Sequence, residues 1–167
     1  MNSESCRGDD CRRGHVADPY LVLIDHIVLL ETLYGSVIIP DVVAGELGAR
    51  ASPSQARRWV SAPPAWVRVE SATPEQLNAV TPELDPRERE ATALVTAFSA
   101  DLLLIDDARG RVEAHRRRLA LTGTLGVLRS AAERGLLDVP ATLGRLRATN
   151  FYVDSALIEE LFGRWIR

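Results

Sequence analysis

Apolar residues are sparse in the first fifteen positions and then arrive in short blocks. Residues 20–34 are mostly apolar and stop at Gly35, a residue suited to ending a helix, so one or two helices are predicted there. Val37-Ile38-Ile39, closed by Pro40, is the short β-branched run of a buried strand. Pro40 then suits the first turn of a helix carrying Val42, Val43, Glu46 and Leu47. Residues 54–60 predict another helix, Pro63-Pro64 breaks it, and residues 66–69 predict a strand. Residues 73–84 are dotted with proline and predict looser chain.

The sharpest local signal follows. Asp85-Pro86-Arg87-Glu88 supplies a cap, a proline at the first helical position and a glutamate three residues after the cap. A helix is predicted from there to Ser99. Residues 101–105 predict a strand that stops at Asp106-Asp107. A basic helix over 108–118, a strand at 119–121 and a Thr122-Gly123-Thr124 turn come next. That turn opens a helix ending near Gly135, and two more helices are predicted over 140–149 and 154–166. Short strands alternating with helices imply an α/β fold with a mostly parallel sheet, in which ligands gather at the carboxyl ends of the strands.

At 167 residues, with 46% hydrophobic and 26% charged, the chain fits a single domain. We read residues 1–15 as a flexible tail and 16–167 as the domain. The longest apolar stretch, 20–30, is interrupted by Asp25 and His26 and falls short of the ~18–20 residues of a membrane span. With no signal-peptide pattern either, a cytoplasmic location is expected. Cys6, Cys11 and His15 have a C-x4-C-x3-H spacing but lack a fourth zinc ligand, and two cysteines make no disulfide framework.

The formal charge is −3, and all 20 basic residues are arginine. Without lysine, P-loop nucleotide hydrolysis, Schiff-base chemistry, Ser-Lys hydrolysis and a phosphoacceptor receiver built on Asp106-Asp107 are excluded. Arginine can still grip phosphate with its bidentate fork.

The acids fall where an open sheet would bring them together. Asp106 and Asp107 follow a strand, Glu88 opens the helix before that strand, and Glu46 lies on the helix after the 37–39 strand. Carboxylates clustered at strand ends suit Mg²⁺ or Mn²⁺, hard cations that prefer oxygen. Each has a plainer alternative: Glu88 as the capping-box residue, Asp106 or Asp107 as a helix cap, Glu46 as a solvated helix residue. Glu90, two residues after Glu88, is expected to point away from it, to the surface. Arg109, Arg111, Arg116, Arg117 and Arg118 crowd the segment after the aspartate pair, offset only by Glu113. They form either a phosphate-binding flank or a solvated helix face.

Several of these blocks resemble the PIN-like proteins of the DUF3368 group. Leu33-Tyr34-Gly35-Ser36-Val37-Ile38-Ile39-Pro40 with Val43 and Glu46-Leu47 is similar to one block of that family. Residues 84–91, Leu-Asp-Pro-Arg-Glu-Arg-Glu-Ala, are similar to a second, with Arg87 where glycine is usual. Residues 101–112 and 121–128, with Leu146-Arg147, Phe151 and Leu157-Ile158, continue the pattern in order. The resemblance implies a three-layer PIN-like fold and a divalent-metal ribonuclease, the toxin of a toxin–antitoxin pair. It implies RNA and a cognate antitoxin as partners, a homodimer, and Glu46, Glu88 and Asp106 or Asp107 as metal carboxylates. Thr124 would orient water or phosphate, or cap a helix. The chain departs from the pattern at its start, where the family has a hydrophobic strand ending in Asp-Thr-Ser-Pro. Aligned on Pro19, the ligand position falls on Val16, and Asp18 serves only if the chain shifts by two residues. The departure implies a chain without the first strand and first carboxylate as the alternative, a PIN module that binds RNA or protein without cutting.

Overall fold

The computed structural model describes residues 15–16 and 20–166. Cys6, Cys11 and Asp18 lie outside them. In chain order the elements are β1 (His15–Val16), α1 (Tyr20–Leu23), α2 (Val28–Tyr34), β2 (Val37–Pro40), α3 (Asp41–Gly48), α4 (Ser54–Ser61) and β3 (Val67–Glu70). Then come α5 (Pro74–Asn78), α6 (Pro86–Ala97), β4 (Leu102–Leu104), α7 (Ala108–Arg116), β5 (Leu121–Thr122), α8 (Thr124–Glu133), α9 (Val139–Arg147) and α10 (Ser155–Ile166).

The five strands form one parallel sheet in the order β3-β2-β1-β4-β5. Side chains alternate between its faces, as the two-residue strand period demands. Val37, Ile39, Val67 and Leu104 face a core built with α1, α2, α8, α9 and α10. Ile38, Leu103 and Ile105 face α6 and α7, through Ala91, Leu94, Val95 and Ala114. The result is the expected three-layer α/β architecture.

Four expectations change. The first strand is present in short form: His15–Val16 pairs with both β2 and β4 and occupies the centre of the sheet. Two residues suffice because neighbours on both sides satisfy the backbone, so no long hydrophobic run is needed. Residues 73–84 are more ordered than their prolines suggest. Thr73 and Gln76 form a reciprocal capping box with Pro74 at the first helical position, and this builds α5. The last strand is Leu121–Thr122 rather than 119–121, because Arg118 closes the preceding turn at a φ of 57° and carries the chain past Leu119. Glu90 is buried, not on the surface. Its two oxygens accept from Val42 N at 2.9 Å and Ala72 N at 3.0 Å. No helix among the described residues is long and apolar enough to cross a membrane.

Candidate metal centre at the carboxyl edge of the sheet

The β4 ladder continues one residue past the strand, with Ile105 N donating to Thr122 O at 2.9 Å. Asp106 therefore leaves the sheet beside the end of β5, where α8 begins. Its Oδ1 accepts from Thr124 N at 2.9 Å and its Oδ2 from Thr124 Oγ1 at 2.6 Å. Gly123, the residue before α8, offers no side chain to cap it, so the Asp106 carboxylate takes the N-cap role from across the sheet edge. Gly123 also makes that approach possible. A Cβ there would sit 2.6 Å from Asp106 Oδ1, closer than any real contact. Burial pushes the Asp106 carboxyl above the usual range, while the two Thr124 bonds and the Arg111 guanidinium pull it back. Arg111 is held nearby by donating to Ile105 O at 3.1 Å.

Asp107 points the other way and caps α7. Its Oδ1 accepts from Arg109 N at 2.8 Å and Gly110 N at 3.1 Å. The helix-cap alternative thus holds for Asp107, and in a different form for Asp106. Thr124 is fully buried with its hydroxyl committed to Asp106, so its present contact positions a carboxylate.

Glu88 behaves differently. Asp85 caps α6 through Arg87 N at 3.0 Å, with no reciprocal capping box at residue 88. Glu88 is 8% exposed, and its Oε2 is buried with no hydrogen-bond partner among the described residues. Burial first, then the nearby charges of Asp85 and Asp107, raise its carboxyl above the ordinary glutamate value, while Arg87 and a hydrogen bond from its own backbone N–H oppose them. Its side chain lies over Gly110, where an added Cβ would come within 3.0 Å of Glu88 Cγ. Glu88 and Asp107 are therefore electrostatic neighbours.

Glu46 is exposed on α3, with its Oε1 3.7 Å from Arg87 Nε, and the same nitrogen lies 3.1 Å from Asp85 Oδ1. Arg87, noted in the sequence only as a departure from glycine, thus stands between carboxylates. Asp85 and Glu90 also matter here and were not singled out for it. Glu90 has a sequence signal: residues 91–95 are nearly all small or apolar, so α6 is covered on more than one side.

The donors fit a hard cation in kind, being carboxylate oxygens only, one of them buried and unpartnered. Among the described residues, no group of three or more His, Cys, Asp or Glu is close enough together to hold an ion. Asp18, the remaining candidate ligand, lies outside the described residues.

The predicted RNA-binding arginines divide into two sets. Arg116 and Arg117 bind the buried Glu113 at 3.1 and 2.7 Å, and Arg117 also donates to Ala79 O. Arg111 is committed beside Asp106. Arg109 and Arg118 are exposed and make no ion pair among the described residues.

No curated protein matches the chain. A family model does: that of DUF3368, described as a PIN domain, over residues 19–166. PIN domains point to nuclease-type chemistry and RNA binding, and they generally use divalent metals. The match spans most of the chain and includes every described carboxylate of the centre, so the protein belongs to the DUF3368 family of PIN-domain proteins.

Proposed function

We propose that the protein is a divalent-metal-dependent endoribonuclease that hydrolyses RNA phosphodiester bonds and serves as the toxin of a toxin–antitoxin pair. The observation that carries this reading is Glu88. A buried carboxylate oxygen without a donor is costly, and a Mg²⁺ or Mn²⁺ ion is the partner that acidic neighbours at a strand edge select. Such an ion, when bound, lowers the pKa of water and offsets charge on the scissile phosphate. The chain's own residues do the rest. Thr124 locks both Asp106 oxygens, and the first amides of α7 lock Asp107, so neither carboxylate can swing when RNA arrives. Glu88 is aimed by its packing over Gly110. Arg109 and Arg118 present free guanidinium groups to the RNA backbone, with water attacking in line to leave a 3′-hydroxyl and a 5′-phosphate. The toxin role, an antitoxin partner and a homodimer are part of the same proposal; a small overlapping upstream gene whose product copurifies with the protein would support the pairing.

The purified protein is expected to degrade single-stranded RNA when Mg²⁺ or Mn²⁺ is supplied, and Asp107→Asn to abolish cleavage. Asparagine is as good a cap as aspartate, so α7 stays intact and the loss reports chemistry. Equal activity of the two proteins across a metal titration rejects the reading. The Arg87–Glu46 pair, which engages one candidate ligand, favours a second reading: a PIN module that binds RNA without cutting it. Tight RNA binding by both proteins with no cleavage by either supports that one.

A further inference from the structure

Asp106 and Arg111 form the polar end of a cavity of about 550 Å³ between the start of α8 and the chain that leads into α10. That volume lies within the ~300–1,000 Å³ usual for small-ligand sites. Much of the remaining wall is apolar, with Leu125, Phe151 and Leu157 lining it. Arg111 is half-buried and spends one N–H on Ile105 O, and a guanidinium carries several more donors. Tyr152 stands at the rim. It is 93% exposed, and it makes no hydrogen bond or ring contact among the described residues. The chain on either side of it is nonetheless fixed. Phe151 N donates to Thr149 Oγ1 at 3.1 Å, and the Phe151 ring meets Tyr20 edge to face with centroids 4.8 Å apart. On the other side Asp154 Oδ1 accepts from Ala156 N at 2.8 Å at the start of α10. A large ring is thus held out from a short anchored segment, at the mouth of a cavity that reaches the carboxyl edge of the sheet. The fold gains no burial from this ring.

We infer that this cavity takes one unstacked nucleotide of single-stranded RNA, with the base against the Tyr152 ring and the phosphate or ribose toward Arg111. This rests on the RNA-cleaving reading above and adds to it the residue that grips a base. Asp106 belongs both to the cavity wall and to the candidate centre, so a strand whose phosphate approaches Asp106 carries the adjoining nucleotide over the cavity. A base suits the mixed lining, because it is flat and neutral and offers a π-face to tyrosine whatever its sequence. A peptide could also lay apolar side chains here, but the guanidinium at the polar end favours a phosphate ester. A base within a duplex is already stacked and cannot enter.

Anisotropy titrations of the full chain with a short unpaired RNA test it, with Mg²⁺ present and Asp107→Asn as the parent so that the strand survives. Tyr152→Ala should weaken binding by at least about fivefold, the lower end for one base–aromatic stack, and Tyr152→Phe should stay within about twofold of the parent. Tyr152→Leu, which keeps apolar bulk without a π-face, should lose as much as Tyr152→Ala. The slope of log affinity against log salt should not change, because a stacked base releases no counterions. Binding of a duplex of the same sequence should be indifferent to Tyr152→Ala. Thermal melts of the variants should coincide with the parent's, since the ring is exposed. A smaller loss in Tyr152→Ala, full binding by Tyr152→Leu, an equal loss on the duplex or a shallower salt slope overturns the inference. In each of those cases RNA binding by the parent leaves the RNA reading standing, and the cavity falls to a protein partner instead. A parent that binds no single-stranded RNA overturns both.

Discussion

Glu88 has two opposed effects, one in the metal-free protein and one in the loaded protein. Burial, then Asp85 and Asp107, raise its carboxyl above the ordinary value of 4.5. A raised acid in the fold means that the folded chain holds the proton more tightly than the unfolded chain does. Stability is then fullest at low pH and falls as pH rises from the unfolded value through the raised one. As pH rises, the metal-free protein comes to carry the cost of ionising a buried oxygen that has no partner among the described residues. Glu88→Gln should therefore stabilise the metal-free protein at pH 7, by on the order of 1 kcal/mol. The gain should vanish at pH 4, where Glu88 is already protonated. Urea denaturation at the two pH values in the presence of a chelator measures it. Added Mn²⁺ should reverse the ranking, because the amide gives up the ligand that the ion needs. A Glu88→Gln protein that is less stable at pH 7 without metal would mean that the oxygen has a donor after all.

The centre depends on how closely α6 and α7 approach each other, and Gly110 controls that distance. A Cβ at this position would lie 2.2 Å from Ile105 Cδ1 and 3.0 Å from Glu88 Cγ. Ile105 is 2% exposed and has no room to swing aside. Gly110→Ala should gain about 1 kcal/mol in helix propensity and lose more to overpacking, for a net loss of about 1–2 kcal/mol. A shifted denaturation midpoint checks it; a stabilised variant would mean that α7 can move off the sheet. At this scale the sequence was legible where local chemistry decides. The β-branched run at 37–39, the Asp85-Pro86 start of α6 and the glycine stops at Gly35 and Gly135 each mark an element that formed. It was illegible where distant partners decide. β1 is two residues long because β2 and β4 complete its ladder. Glu90 is inside because Val42 and Ala72 bring their amides to it from other elements. The sequence places Asp106 and Asp107 at a strand end and Glu88 at the start of α6, but among the described residues no three acids come close enough to hold an ion, and the Arg87 contact with Glu46 spans 41 positions (87 − 46) and has no local signature.

Over the whole molecule, the charge of −3 conceals a separation. Asp106 and Asp107 lie at the carboxyl end of β4, and α7 with the turn that follows it carries the arginines beyond them. Their contacts assign them different work. Arg117 joins the buried Glu113 and the Ala79 carbonyl, so it ties α7 to the segment after α5. Arg109 and Arg118 are exposed without an ion pair among the described residues, and so keep their charge available to a polyanion. Each phosphate neutralised on a single strand contributes about 0.7 to the slope of log affinity against log salt. Arg109→Ala and Arg118→Ala should each weaken binding of single-stranded RNA and lower that slope by about 0.7, with little change in stability. Arg117→Ala should leave the slope alone and cost about 1–3 kcal/mol of stability, because it strips a donor from a buried carboxylate. Anisotropy titrations at several salt concentrations, made in the Asp107→Asn background so that RNA stays intact, separate the two classes. An unchanged slope in both the Arg109 and Arg118 variants would route the RNA away from α7 and leave its arginines as a solvated face. A slope that falls for Arg117 as well would mean that RNA binding pulls this arginine off Glu113, and that α7 is held less firmly than its ion pairs imply.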